Sequence, residues 1–118
     1  MTNKDFYTIW GAALAAPDRE MFTAEWATSI VWGDPDELTD DDLLRIADYC
    51  GKLWDAAHMS VRQIKDAAGM TQAQLAERFC MPKRTIENWC VSGGKESRNC
   101  PDYIRLMMLE ALGIVSRP

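Results

Sequence analysis

Residues 69–89 read GMTQAQLAERFCMPKRTIENW, and the punctuation of that stretch predicts two short helices in quick succession. Gly69 stops whatever precedes it. Thr71 then opens a helix, because Gln74 stands three residues on and the pair can form a capping box that satisfies two otherwise unpaired backbone N–H groups. From Gln72 the helix points Leu75, Ala76 and Phe79 inward and lasts about eight residues before the chain turns at Cys80 and Met81. Pro82 sits at or beside the first position of the next helix, where its missing N–H costs nothing. Ile86 and Trp89 form the inner face of that helix, and Lys83, Arg84, Thr85 and Asn88 point away. Neither helix can bury a full face alone, so the two must cross steeply and share a core with the helix before them.

That preceding helix is capped by Ser60, with Val61, Ile64 and Ala67 or Ala68 inward. After Pro101 a last helix, DYIRLMMLEALG, is apolar nearly all round, which implies that it is sandwiched in the core or offers a second face to another subunit. Toward the N-terminus the period remains helical. A first helix over about residues 4–15 gathers Phe6, Ile9, Trp10 and Ala13 on one face, and a second, with Pro17 near its first position, carries Met21, Phe22, Trp26 and Ile30. Thr39 caps a third over about residues 40–57, whose first turn holds Asp40, Asp41 and Asp42, where carboxylates are favoured. Its apolar stripe is Leu43, Ala47, Cys50, Trp54 and Ala57. The segment GDPDELTDDDLL, residues 33–44, lacks the alternating Asp positions, central Gly and closing Glu of a calcium loop, so it reads as helix entry rather than a metal site. Strand-like runs are absent, and the expected class is all-α.

The whole chain has 118 residues, 47% hydrophobic and 26% charged, enough for one domain or two very small ones. Apolar runs are short, as at residues 106–109, so no membrane span is expected. The N-terminus lacks the basic and continuous apolar regions of a secretory signal, which points to the cytoplasm. Cys50, Cys80, Cys90 and Cys100 are expected to be reduced thiols; their spacing contains no CxxC, the single His58 sits elsewhere, and neither a metal nor another cofactor is expected. The net charge of −5 hides two unlike halves. Residues 1–59 carry four basic against twelve acidic residues, a net of −8; residues 60–118 carry nine against six, a net of +3. Such asymmetry suits a C-terminal half that approaches a polyanion and an N-terminal half that faces water or a basic partner. Trp10, Trp26, Trp32 and Trp54 all lie in the acidic half, where buried aromatic core is their expected use.

With these residues in view, the region from 60 to 113 resembles the lambda-repressor-like (Xre or Cro-type) helix-turn-helix family. Thr71 and Gln72 opening one helix, Ala76 at the close crossing, and Thr85, Ile86 and Trp89 in the next all fit its pattern. The resemblance implies a helix-turn-helix domain over residues 59–118; the acidic, Trp-rich helical extension of about three helices over residues 1–58 carries no such resemblance. The resemblance also implies that the helix over about residues 82–90 enters the DNA major groove. The base-reading positions would then be held by Lys83, Arg84 and Asn88, whose donors suit guanine O6 and N7 or adenine N6 and N7. Thr85 and Gln72 match positions that commonly touch phosphate, and Lys95 and Arg98, in the loop beyond, are further phosphate candidates. Three departures stand out. Cys80 replaces the usual turn glycine, which leaves the turn open to reshaping; Glu87 places a carboxylate on or near the reading face; and the loop VSGGKESRN is longer than usual.

The function these features imply is a sequence-specific DNA-binding transcriptional regulator that acts as a homodimer on double-stranded DNA. Its acidic half would serve oligomerisation, effector sensing or a protein partner. The alternative is a protein-interaction module, an antitoxin or mobile-element inhibitor, whose acidic half engages a basic protein. Catalysis is not expected, since one histidine, no HExxH, no phosphate-cradling glycine loop and no nucleophile elbow leave no acid, base and nucleophile together.

Overall fold

The computed structural model describes residues 1–91 and 100–118, and among them all regular structure is helical. The elements are α1 (Asn3–Ala15), α2 (Arg19–Ala27), α3 (Asp40–Ala57), α4 (Val61–Ala67), α5 (Gln72–Arg78), α6 (Lys83–Trp89) and α7 (Asp102–Ala111), with single 3-10 turns at Ile30–Trp32 and Pro35–Glu37. They divide into two compact units, Met1–His58 with Arg117 and Pro118, and Met59–Ser116. No helix of the described residues is long and apolar enough to cross a membrane.

In the first unit local chemistry sets the helix starts. Thr2 with Asp5 and Thr39 with Asp42 form reciprocal capping boxes for α1 and α3. The backbone N–H and then the hydroxyl of Thr39, followed by Arg45, hold the Asp42 carboxyl below its ordinary value. The second helix differs from expectation: it begins at Arg19 rather than Pro17, because the extended Asp18 caps it by accepting from the Met21 N–H at 2.9 Å. It also ends at Ala27, so Ile30 falls in a separate 3-10 turn, and both Ile30 and Met21 are exposed.

Phe6, Ile9, Trp10 and Ala13 of α1, Phe22 of α2, and Cys50, Gly51, Leu53, Ala56 and Ala57 of α3 make the core of this unit. The stripe of α3 is displaced from the expected one: Leu43 is exposed and Trp54 half-buried, and the fully buried residues all lie within residues 50–57, with Ile46, Ala47 and Tyr49 half-buried before them. Of the four tryptophans only Trp10 is buried. Trp54 and Trp32 sit at the core edge, where their ring N–H groups reach the Ala16 carbonyl at 2.9 Å and the Trp26 carbonyl at 2.8 Å. Gly51 is the place where Arg19 lies across α3. A Cβ there would stand 2.5 Å from Arg19 Nη2, and the bare backbone leaves room for the guanidinium to reach Asp55 at 2.8 Å and 3.2 Å.

The second unit packs α4, α5, α6 and α7 around Val61, Ile64, Leu75, Ile86, Met108 and Leu109, all fully buried. Ser60 with Gln63 and Thr71 with Gln74 cap α4 and α5. Phe79 is half-buried rather than central, at the C-cap of α5 with the Arg78 guanidinium 5.2 Å from its ring. The last helix buries one face only, through Arg105, Met108 and Leu109, and leaves Tyr103 and Met107 exposed. Arg105 donates from Nη1 to the Met59 carbonyl and from Nη2 to Asp102, both at 2.8 Å, and so ties α7 to the start of the unit.

Candidate nucleic-acid interface

The site is built on the turn between α5 and α6. The Cys80 N–H reaches the Glu77 carbonyl at 3.3 Å and the Met81 N–H reaches the Ala76 carbonyl at 2.9 Å. This double closure stops a helix with one residue in the left-handed region. Cys80 is that residue, at φ 53°, and it is the only described non-glycine residue with positive φ. The turn expected to be open to reshaping thus keeps the left-handed form that glycine would take, at a cost of about 1 kcal/mol. Gly69 closes α4 in the same manner, with its N–H on Asp66 and the Met70 N–H on Lys65, both at 3.0 Å.

An expected outcome follows from this geometry. Cys80→Gly should raise the unfolding free energy by up to about 1 kcal/mol, since relief of the left-handed penalty exceeds the added entropy of an unfolded glycine. Urea unfolding followed by circular dichroism measures it. A loss of about 1 kcal/mol, the usual result of inserting glycine elsewhere, would contradict a left-handed Cys80.

With the turn held, α6 buries Ile86 and Trp89 and half-buries Thr85. Lys83, Arg84, Glu87 and Asn88 are exposed, and their spacing places them side by side on the outer face. Lys83 Nζ lies 3.8 Å from Glu87 Oε1, a loose pair between two largely solvated side chains that tempers the carboxylate with little energy. Gln72, at the first position of α5, is half-buried. Lys95 and Arg98 lie outside the described residues.

Three basic residues passed over in the sequence have definite places. Arg62 on α4 and Arg78 on α5 are exposed, whereas Arg105 is 8% exposed and structural. Arg62 and Lys65 lie near enough to favour the charged form of Cys90, but burial outweighs them and raises that thiol. Burial likewise pushes Cys50 and Cys100 up to about 11, so these thiols are neutral core atoms at pH 7. His58, whose Nε2 is 2.9 Å from the Ala13 carbonyl, stacks on Trp54 at 4.1 Å in the first unit. Compared with protein-family models, with curated proteins and with solved structures, the chain shows no significant match to any of them.

Proposed function

We propose that the chain is a sequence-specific DNA-binding regulator whose second unit reads double-stranded DNA through α6. The reading rests above all on the left-handed Cys80 turn, which joins α5 and α6 while Lys83, Arg84 and Asn88 stay on the solvent side. Arg84 and Lys83 donate to guanine acceptors, Asn88 pairs with adenine, and Thr85 and Gln72 approach phosphate. One short helix of contacts supplies little affinity, so the protein acts as a homodimer on two half-sites, with Tyr103 and Met107 on α7 available for the pairing. It is a cytoplasmic binding protein of the lambda-repressor-like kind and not a catalyst.

Duplex binding measured against salt tests the proposal. Affinity should fall linearly on a log-log plot, and Lys83→Ala should weaken binding to the preferred duplex by about 1–3 kcal/mol through loss of one base contact. An absence of binding to any duplex at low salt would contradict it.

A further inference from the structure

The first unit holds a helix that is covered less over its N-terminal half, where Ile46, Ala47 and Tyr49 are only half-buried and Trp32 packs on Tyr49 at 5.5 Å. An α-helix rises about 1.5 Å per residue, so the nine residues of α2 span about 13 Å and the eighteen of α3 about 27 Å. The start of α2 is fixed at the far end of α3 by the Arg19–Asp55 pair, and the end of α1 is fixed there too, by the Trp54 and His58 contacts with the Ala16 and Ala13 carbonyls. Every buried residue of α3 accordingly lies within residues 50–57, and none lies within residues 40–49. On the side of that half away from Tyr49, Leu43 is 41% and Leu44 70% exposed. Together with Asp40, Ala47 and Asp48 they occupy the i, i+3, i+4, i+7 and i+8 positions of one face.

The charge around this face selects its occupant. Asp42 and Asp48 pair with Arg45 and Lys52, but Asp36, Glu37, Asp40 and Asp41 make no ion pair among the described residues. A second copy laid symmetrically on the same face would bring these carboxylates together, and an anionic surface would be repelled as well. We infer that the N-terminal half of α3 docks a basic amphipathic helix of another protein, with Leu43 and Leu44 packed against its apolar stripe and Asp36, Glu37, Asp40 and Asp41 facing its lysines or arginines. The inference is independent of DNA binding by the second unit.

The test uses the full chain and a short, fluorescently labelled synthetic peptide with leucines at helical i, i+3, i+4, i+7 spacing and lysines elsewhere. A peptide of the same composition, reordered so that no stripe forms, is the control. Fluorescence anisotropy should show binding of the ordered peptide that weakens as salt rises. It should weaken by about tenfold or more in the Leu43→Ser, Leu44→Ser double variant, since two leucines lose their burial, and by a similar factor for the reordered peptide. Both leucines are exposed, so the variant should keep its helical circular dichroism. Equal affinity for the two peptides, indifference to the double variant, or no binding at all would overturn the inference. Sedimentation showing a dimer of the chain alone that the double variant dissolves would overturn it in favour of a second copy.

Discussion

Ile86→Ala is expected to lower the unfolding free energy by about 2–5 kcal/mol, the usual cost of emptying a fully buried branched site. The upper part of that range applies because α6 has few other supports. It is seven residues long, too short to persist in water by itself, and Pro82 at its N-cap offers no side-chain hydrogen bond. Ile86 and Trp89 are its only buried residues, so removing one leaves the helix held by a single ring at its end. Ile86→Val should cost only about 0.5–1.5 kcal/mol. Urea unfolding of both variants gives the comparison. A loss under about 1 kcal/mol for Ile86→Ala would mean that α6 is not anchored as described.

Arg105→Ala should cost about 2–3 kcal/mol, by loss of charge-assisted hydrogen bonds and of stem packing in the second unit. Its guanidinium donates in two directions, to the Met59 carbonyl and to Asp102. Asp102 is 64% exposed and recovers water when abandoned, so the larger share of the loss falls on the Met59 end. Arg105→Lys should restore only part of the stability, because one ammonium does not reproduce the planar fork. Thermal unfolding of the two variants distinguishes the cases. Equal stability of Arg105→Lys and the parent would show that charge alone matters at this site.

These two residues mark how far the sequence could be read. Local signals carried most of the fold: Thr39 before three aspartates, Ser60, and the Thr71–Gln74 box each cap the helix they were expected to cap. The inward positions of Ile86 and Trp89 also follow from helical spacing alone. What local signals could not carry was pairing across the chain. Arg105 sits 46 residues from Met59, and an arginine amid apolar residues reads as solvent-facing until that carbonyl is brought beside it. The stripe of α3 was misplaced for a similar reason, since periodicity gives a face but not how much of it shorter helices will cover. Asp18 displaced Pro17 as the start of α2 because capping by its carboxylate competes with proline's preference for the first turn. In the candidate interface, the outward residues Lys83, Arg84 and Asn88 were legible from period. The half-burial of Gln72 was not, because it depends on how α5 and α6 cross.

Selection of bound duplexes from a random pool tests whether the outer face of α6 reads base sequence, as proposed. The parent protein should enrich a short pattern, repeated with two-fold symmetry about one helical turn apart. Arg84→Ala should lose preference at one position of each repeat, at a cost of about 1–3 kcal/mol for that base. A pool that stays random for the parent protein at low salt, or a pattern left unchanged by Arg84→Ala, would contradict the account.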